Sequence, residues 1–443
     1  MPVATQSAYD IAVAELLKLG HELHATPSHK FDLAHMRVLL EAMGHPERRF
    51  PSVLIAGTNG KGSTAATLYS ILLAAGYRAG LYTSPHLLRM NERIKVAGDE
   101  ISGPEFAEMH ARVEEAATRL TAQGKLPWHP SFFETLTAMA FEYFASSAVE
   151  IAVLEVGMGG RLDATNVVEP CLSVITDIAL DHQAYLGNTL VEIAREKAGI
   201  IRPRGVVVTL AQHPEANQVI GDAINERAAR AVNAGDYVPH ERAGTPYQLE
   251  VLGEQITVAS PLLGVHQRRN VALAIAAAVE LNQHGFKLTA ADIENGIRNT
   301  RWPGRFQIIP ARDSRPQFVL DVAHNPAGAW ALRATLSTHF PERPIFFVFG
   351  AMRDKAIGEI AEILFPLAAK VIATQADSPR AATPEQISEA AARSGAEIIC
   401  EPAVAAALAH GQQLAGSAQN AVVVVTGSIY IVGEALRELG IAS

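Results

Sequence analysis

Cysteine is scarce in this sequence, because its 443 residues contain only two, Cys171 and Cys400. A disulfide framework is therefore excluded, and the scarcity is typical of a protein from a reducing compartment. Long apolar runs are missing as well, since none approaches the roughly 18 residues that a membrane-spanning helix needs. The segment Met1–Leu17 carries Asp10 and Glu15 and no basic stretch before its apolar residues, so we expect no secretory signal. These absences predict a cytoplasmic protein with no membrane partner.

An excess of basic side chains is also lacking. The 37 Lys and Arg residues are outnumbered by 46 Asp and Glu residues, which gives a formal charge of −9. This balance argues against a nucleic-acid partner bound through many phosphates, although one small phosphate site remains compatible with it. Apolar residues are abundant: they make up 49% of the sequence, whereas charged residues make up 19%. These proportions are typical of ordered globular proteins. The length predicts two to three domains.

Short apolar runs alternate with longer helical patterns along most of the chain. Runs such as Val53–Ala56 and Ile151–Val156 lack polar alternation, which is typical of strands in a parallel sheet covered on both faces. Segments such as Phe132–Phe144 and Leu190–Ala198 carry helical spacing between them. The alternation predicts an α/β fold with a mostly parallel sheet flanked by helices.

The pattern breaks at Asn299–Arg305, where Pro303 and Gly304 end a helical segment and allow a linker. Strand and helix patterns then restart, whereas the earlier segment Tyr237–Val258 indicates short antiparallel strands. The predicted divisions are an N-terminal domain at residues 1–300, a linker at about 298–306 and a smaller α/β C-terminal domain at 307–443.

The sharpest local signal is the segment Gly57–Ser63, Gly-Thr-Asn-Gly-Lys-Gly-Ser, which we term the phosphate loop. It follows the predicted strand Val53–Ala56 and precedes a predicted helix at Thr64–Ala75. Backbone N–H groups at such a helix start face one point, where the helix dipole favours anions. Glycine allows close approach, and Lys61 can reach the outer phosphates. We therefore predict ATP binding at this loop.

Two positions depart from the strict Walker pattern. Ile55 stands where its first glycine would be, and Gly62 stands where Ser or Thr would follow the lysine. The alternative is an ordinary glycine-rich turn with a surface lysine, but strand, turn and helix signals agree on a nucleotide site. A second glycine-rich segment, Gly157–Gly160, lacks the third glycine of a dinucleotide fingerprint.

The phosphate loop resembles that of the folylpolyglutamate synthase/dihydrofolate synthase branch of the Mur ligase family. Further motifs match this branch in the expected order: Tyr82–Leu87, Leu154–Asn166, Leu180–His182, Arg195–Ile200, His266–Gln267, Pro303–Phe306, Asp321–Pro326 and Thr426–Ser428. The resemblance covers nearly the whole chain. It implies a Mur-ligase-like central domain, a Rossmann-like C-terminal domain and an active site in a cleft between domains. The implied activity joins L-glutamate to a pteroate or folate carboxylate through an acyl phosphate, with ATP and Mg²⁺.

Glu155 ends an otherwise apolar strand, where an unpaired buried carboxylate is costly and where open α/β sheets place ligands. The resemblance implies that Glu155, Ser84 and His182 are magnesium ligands and that two Mg²⁺ ions bind. The residues alone indicate equally well that His182 is a loop histidine, because imidazole is an unusual ligand for so hard a cation.

The resemblance also implies a nucleotide site and catalytic residues. The implied ATP-binding residues are Thr58, Asn59, Gly60, Lys61, Gly62, Ser63, Asn270, Arg305 and Asp321, and the implied catalytic residues are Lys197 and His324. In the family the lysine that matches Lys197 is carbamylated, which turns a cation into an anionic metal ligand. From the residues alone, Lys197, Arg195 and Glu196 indicate a solvated helix surface, and Asn270 indicates a helix N-cap.

Substrate binding is implied by the same resemblance for two pterin-site segments and one C-terminal residue. These substrate residues are Ser131, Phe132, Phe133, Glu134, Leu162, Asp163, Ala164 and Ser428. Aromatic walls with a few polar groups suit a flat pterin. Core packing is the alternative for one of the two phenylalanines, and a plain turn is the alternative for Ser428.

The preferred hypothesis is a monomeric enzyme of folate biosynthesis that adds glutamate both to dihydropteroate and to reduced folates. The pterin-site segments and the form Asp321-Val322-Ala323-His324 resemble bacterial enzymes with both activities. The alternatives are folylpolyglutamate synthase activity alone, a peptidoglycan-precursor ligase, and a nucleotide-dependent binding protein that hydrolyses ATP slowly. Gly62 argues against the peptidoglycan-precursor ligase, and the polar turn at Asp321–Asn325 argues against the slow ATP-hydrolysing binding protein.

Overall fold

The structure is a computed structural model that describes residues 7–20, 32–239, 246–312 and 315–441. Residues 1–6 of the N-terminal segment and residues 240–245 of the predicted antiparallel segment lie outside the described residues. Residues 21–31, 313–314 and 442–443 of the predicted domains lie outside them too. Among the described residues no helix combines the length and the apolar character that crossing a membrane requires.

The described chain alternates strands with helices. The strands are β1 Ser52–Ala56, β2 Ala79–Tyr82, β3 Ile94–Val96, β4 Asp99–Glu100, β5 Ile151–Glu155, β6 Leu172–Ile175, β7 Val206–Thr209, β8 Arg230–Asn233, β9 Tyr247–Val251, β10 Glu254–Val258, β11 Gln307–Ile309, β12 Gln317–Leu320, β13 Ile345–Phe349, β14 Ala368–Ala373, β15 Ile398–Cys400 and β16 Val422–Thr426. The helices are α1 Ala8–Lys18, α2 Leu33–Ala42, α3 Lys61–Ala74, α4 Gly103–Ala122, α5 Phe132–Ser146, α6 Gln183–Leu186, α7 Leu190–Ala198, α8 Pro214–Glu226, α9 Val265–Leu281, α10 Ala290–Arg298, α11 Pro326–His339, α12 Ile357–Leu364, α13 Pro384–Ala390, α14 Val404–Gly416 and α15 Ile429–Glu438.

An eight-stranded sheet has the order β4-β3-β2-β5-β1-β6-β7-β8. The six strands from β2 to β8 in this order are parallel, and β3 and β4 add an antiparallel edge. All residues of β1 and β5 are buried, as expected for central strands covered on both faces. Ile55 lies opposite Glu155, so the carboxyl ends of these two strands meet at one edge of the sheet.

The helix that follows β1 is held by close packing. A Cβ on Gly296 of α10 would lie 2.3 Å from the Cα atom of Ile71 of α3, so only glycine allows this approach. Ser70 Oγ donates a hydrogen bond to the carbonyl oxygen of Gly296 at 2.7 Å. The second half of α3 is therefore held directly against α10.

A second, six-stranded sheet has the order β11-β12-β16-β13-β14-β15. Its strands are parallel except β11, which runs antiparallel to β12. The predicted α/β fold class with two mostly parallel sheets is thereby confirmed. The antiparallel strands predicted within Tyr237–Val258 are confirmed as the pair β9 and β10.

Among the described residues the chain divides into two compact units. The first comprises the described residues within Met1–Ile178, His182–Ser260 and Arg269–Thr300, and the second comprises those within Ala179–Asp181, Pro261–Arg268 and Arg301–Ser443. Two short segments of the first 300 residues thus belong with the second unit. One of them, Ala179–Asp181, comes directly before His182 in the sequence.

Candidate active site

The phosphate loop joins the carboxyl end of β1 to α3 through backbone conformations that glycine adopts readily. Gly57 has a φ of +154° and Gly60 a φ of +88°. A Cβ on Gly57 would lie 1.8 Å from Thr176 Oγ1, and a Cβ on Gly60 would lie 2.1 Å from Asn270 Oδ1. The loop therefore packs directly against the end of β6 and against α9, and its shape depends on both glycines.

Backbone hydrogen bonds hold the same loop from the β6 side. The N–H groups of Thr58 and Asn59 donate to the carbonyl oxygen of Asp177 at 2.8 and 3.1 Å. Lys61 Nζ donates to the carbonyl oxygen of Thr58 at 3.3 Å, so this side chain folds back over the loop. The helix α3 begins at Lys61, and the N–H groups of its first turn have no acceptor within the helix. This combination of backbone donors, a lysine and a helix N-terminus can bind a phosphate.

Gly57→Ala is expected to lower the free energy of unfolding by about 2–4 kcal/mol, because the new methyl group collides with Thr176 and φ becomes unfavourable. Gly76→Ala is the matched control, since Gly76 also has a positive φ, +83°, but a Cβ there meets nothing within 4 Å. Gly76→Ala is expected to lower the free energy of unfolding by only about 1 kcal/mol. Urea unfolding followed by circular dichroism measures both values, and equal costs would contradict the close approach at Gly57.

Lys197 lies on α7 with 4% of its surface exposed. Its Nζ donates to the carbonyl oxygen of Gly57 at 2.7 Å, so it contacts the phosphate loop directly. The alternative that Lys197 is a solvated helix charge is therefore wrong, because the side chain turns towards the sheet. Arg195 on the same helix is exposed, as expected. Glu196 also lies at the surface, where Arg161 Nη2 donates to Glu196 Oε1 at 2.9 Å.

The three predicted metal ligands lie at or next to the ends of different elements of the first unit: Ser84 after β2, Glu155 at the end of β5 and His182 before α6. Glu155, 5% exposed, is the last residue of β5, and its Oε2 accepts a hydrogen bond from the backbone N–H of Ser84 at 3.1 Å. His182 has a φ of +51° and immediately precedes α6. In the parts of the chain that the structure describes, no group of three or more His, Cys, Asp or Glu residues is placed to hold a metal ion. The predicted set includes only two residues of these types and a serine, so its role stays a prediction.

The first pterin-site segment forms the start of α5. The backbone N–H of Ser131 donates to Glu134 Oε2 at 2.8 Å and Ser131 Oγ accepts from the backbone N–H of Glu134 at 3.4 Å, which is a capping box. Phe132 lies in the hydrophobic core, so core packing is confirmed for one of the two phenylalanines. Phe133 is half-buried, and a Cβ on Gly157 would lie 2.5 Å from its Cζ atom. Phe133 therefore lies against the glycine-rich segment that follows β5.

The second pterin-site segment, Leu162–Ala164, is organised by a buried carboxyl group. Burial raises the pKa of Asp163, while hydrogen bonds from Thr165 and from the backbone of Met158 oppose that shift. Thr165 Oγ1 donates to Asp163 Oδ1 at 2.5 Å, and the N–H of Met158 donates to Oδ2 at 2.9 Å. Asp163 therefore fixes the loop after β5, with Leu162 half-buried and Ala164 buried beside it.

In the second unit, Asp321 follows β12 and joins two backbone segments. Its Oδ2 accepts from the N–H of Phe306 at 2.8 Å and its Oδ1 accepts from the N–H of Ala323 at 2.9 Å. Burial raises the pKa of Asp321, whereas the charge on His266, the N–H of Ala323 and the charge on Arg305 oppose the shift. The Arg305 guanidinium lies 5.9 Å from the ring centroid of Trp302. Asp321 thereby holds the backbone turn that carries Arg305.

A buried polar cluster in the second unit was missed by the sequence reasoning. Asp181 Oδ1 accepts from Lys355 Nζ at 2.6 Å, and its Oδ2 accepts from Asn325 Nδ2 at 3.1 Å. His324 Nε2 lies 3.4 Å from the same Oδ2. The side chains of Asp181 and Lys355 are 6% and 9% exposed. The position of Lys355 after the carboxyl end of β13 is the signal that could have identified it.

Two other predicted residues have local structural roles. Ser428 caps α15, since its Oγ accepts from the N–H of Tyr430 at 3.2 Å. Asn270 is not the predicted N-cap, because α9 begins five residues earlier at Val265. Its side chain, 3% exposed, instead lies against Gly60 of the phosphate loop.

Comparisons with known proteins agree with this architecture. A sequence profile for the Mur ligase middle domain matches residues 55–278, and a profile for the Mur ligase, glutamate ligase domain matches residues 304–429. The chain is 36% identical over 422 residues to the dihydrofolate synthase/folylpolyglutamate synthase of Bacillus subtilis, which covers 92% of this chain and 94% of that protein. It is 37% identical over 434 residues to a Haloferax volcanii protein named probable bifunctional folylpolyglutamate synthase/dihydropteroate synthase, covering 94% of this chain. The chain spans only 50% of the length of that relative.

A solved structure is similar over its full length. The folylpolyglutamate synthase of Mycobacterium tuberculosis, complexed with ADP and AMPPCP, superposes with a TM-score of 0.87 at 34% sequence identity. The superposition covers 97% of this chain and 99% of that one.

Proposed function

The chain belongs to the dihydrofolate synthase/folylpolyglutamate synthase branch of the Mur ligase family, and on that premise we propose that it is an ATP-dependent ligase. It joins L-glutamate to dihydropteroate, forming dihydrofolate, and to reduced folates, extending their glutamate tail. The observation that carries the proposal is the phosphate loop held by Lys197 of α7, at the sheet edge where Glu155 also ends its strand. Nucleotide-bound relatives with the same fold support ATP as the co-substrate.

The chemistry explains why such an enzyme needs a nucleotide. A carboxylate cannot lose hydroxide to an amine at neutral pH, so the acceptor carboxylate first attacks the γ-phosphorus of ATP and ADP leaves. The amine of glutamate, after losing a proton, then attacks the acyl carbon and inorganic phosphate leaves. Catalysis of both steps depends on positioning and on neutralising phosphate charge. Lys61 and the backbone N–H groups at the start of α3 supply part of that positive potential.

We propose that Ser84, Glu155 and His182 hold one Mg²⁺ ion and that Lys197, as its carbamate, contributes to a second. The buried carboxylate of Glu155 and the hydroxyl of Ser84 are oxygen donors of the kind that Mg²⁺ prefers, and the backbone N–H of Ser84 already orients the carboxylate. Bound Mg²⁺ supplies neutralisation of the charge that the phosphates carry. The side chains of Ser84, Glu155 and His182 would orient the Mg²⁺ ion, and the backbone N–H of Ser84 holds the Glu155 carboxylate in place.

Carbamylation of Lys197 is compatible with the contact that this residue makes. The neutral amine attacks CO₂, a nitrogen–carbon bond forms and one proton is released. The carbamate keeps one N–H on Nζ, which can still donate to the carbonyl oxygen of Gly57. The modification is reversed when the carbamate takes up a proton and loses CO₂, and burial of the side chain limits the access of that proton.

The remaining predicted residues complete the proposal. Phe133 and the loop held by Asp163 contribute to the pterin site, together with Ser131, Phe132, Glu134, Leu162 and Ala164. We assign the nucleotide to Thr58–Ser63, Asn270, Arg305 and Asp321, and the acyl transfer to His324 and Ser428. In this assignment residues 1–300 form the nucleotide- and pterin-binding domain, residues 298–306 the linker and residues 307–443 the glutamate ligase domain.

The proposal predicts ADP release that depends on both L-glutamate and an acceptor. Purified protein is incubated with MgATP and L-glutamate, together with dihydropteroate, a reduced folate monoglutamate or neither. We expect ADP release with each acceptor and a product heavier by one glutamyl unit, measured by mass spectrometry. Product from the folate alone would limit the activity to polyglutamylation. ADP release at the same rate with and without L-glutamate would contradict the proposed ligase activity.

A further inference from the structure

An ion pair beside the phosphate loop has no role in the function described so far. Arg269 of α9 binds the Asp177 carboxylate with two guanidinium nitrogens: Nε lies 3.0 Å from Oδ2 and Nη2 lies 2.6 Å from Oδ1. Nη2 also donates to the carbonyl oxygen of Ala211 at 2.9 Å. The guanidinium therefore joins three backbone segments of the first unit: α9, the residue after Thr176 and the loop after β7.

Both partners are directly connected to the phosphate loop. The carbonyl oxygen of Asp177 accepts the N–H groups of Thr58 and Asn59. The residue that follows Arg269 is Asn270, whose Oδ1 faces Gly60 so closely that a Cβ there would lie 2.1 Å away. The loop is thus held by Asp177 on one side and by Asn270 on the other, and Arg269 joins the two supports.

We propose that Arg269 and Asp177 are a positioning pair that sets the shape of the phosphate loop for nucleotide binding. The proposal rests on the nucleotide-binding role of the loop given above and adds two residues that do not themselves touch the nucleotide. The pair fixes the distance between the Asp177 carbonyl oxygen and α9. The directions in which the loop N–H groups point follow from that distance.

The expected signature is a loss of nucleotide affinity with little loss of stability. The side chains of Arg269 and Asp177 are 31% and 33% exposed, and ion pairs of such exposure contribute little to the free energy of unfolding. Their geometry matters more, because two guanidinium nitrogens bound to one carboxylate define an orientation and not only a charge. A lysine at position 269 keeps the charge and loses this planar contact.

The experiment measures binding of ADP in the presence of Mg²⁺ by calorimetry for the wild type, Arg269→Gln, Asp177→Asn, the double variant and Arg269→Lys. Each single neutral variant is expected to bind ADP about tenfold more weakly, equivalent to about 1.4 kcal/mol. The double variant is expected to lose no more than either single variant, because both remove the same interaction. Arg269→Lys is expected to be intermediate. Melting temperatures without nucleotide are expected to change by less than about 2 °C.

The matched control is Arg112→Gln. Arg112 of α4 binds Glu108 of the same helix and Glu142 of α5, both at 2.7 Å, within the same unit. Its ADP affinity is expected to equal that of the wild type. Wild-type affinity in Arg269→Gln, or additive losses in the double variant, would overturn the positioning pair and leave the ligase intact. No ADP binding by the wild type would overturn the proposed function, and the pair with it.

Discussion

Lys197→Met is expected to lower the rate of glutamate ligation by about 10³-fold or more, equivalent to about 4 kcal/mol of transition-state stabilisation. The variant removes the Nζ contact with the carbonyl oxygen of Gly57 and every oxygen that a carbamate would offer. Stability is expected to change by no more than about 2 kcal/mol, because loss of a buried hydrogen bond is offset by relief of a buried charge. Steady-state kinetics with MgATP, dihydropteroate and L-glutamate measures the rate, and urea unfolding measures the stability.

Arg195→Met is the matched control for Lys197→Met. Arg195 lies two residues away on the same helix, with its side chain exposed. The same loss of a positive charge at this exposed position is expected to leave the rate within about twofold and the stability nearly unchanged. Near-normal activity in a folded Lys197→Met variant would contradict the metal-ligand role of this residue and show that catalysis does not need its contact with the loop.

Lys197→Ala separates the two roles of the side chain. Truncation leaves space beside Gly57 in which a small carboxylate such as formate or acetate can replace the carbamate oxygens. We expect these acids to restore part of the activity in the alanine variant in a concentration-dependent way, and to leave the wild type unchanged. A variant that stays inactive at every concentration would restrict Lys197 to holding the loop.

The local parts of the fold could be predicted because their signals lie close together in the sequence. The strands predicted at Val53–Ala56 and Ile151–Val156 are found at Ser52–Ala56 and Ile151–Glu155, each within one residue, since strands covered on both faces are continuous apolar runs. The strand β8 was not predicted, because Arg230–Asn233 is a mostly exposed edge strand without an apolar run. The early start of α9 was missed for the same reason, as residues 266–270 are all polar or charged.

The supports of the candidate site could not be predicted because they join residues far apart in the sequence. Arg269 and Asp177 are 92 positions apart, and Lys355 and Asp181 are 174 positions apart. Neither spacing defines a helix face or a turn, so residue types alone did not reveal these pairs. The phosphate loop, in contrast, carries its strand, glycines, lysine and helix within one short segment. The burial of Lys197 could not be predicted either, because its partner Gly57 lies 140 positions away in the sequence.

Glu155→Gln is expected to lower the ligation rate by about 10³-fold or more at fixed Mg²⁺ and to raise the Mg²⁺ concentration needed for half-maximal rate. Glutamine keeps the volume of the side chain and an oxygen that can accept from the N–H of Ser84. It removes only the negative charge, which is costly in a residue that is 5% exposed. The variant is therefore expected to melt at the same temperature as the wild type or higher. Loss of activity together with retained or increased stability would identify a charge that function requires and folding does not.

The opposite end of the same strand offers the control for Glu155→Gln. Glu150 precedes β5, and its Oε2 accepts from the backbone N–H of Arg78 at 2.7 Å, just as Glu155 accepts from Ser84. Glu150→Gln removes a charge with an equivalent backbone contact at the amino end of the strand, where parallel sheets do not place ligands. Its rate and its Mg²⁺ dependence are expected to match the wild type. If Glu155→Gln showed a normal Mg²⁺ dependence, or if both variants lost activity equally, the metal role of Glu155 would be wrong, and the carboxylate would serve only to hold the Ser84 backbone.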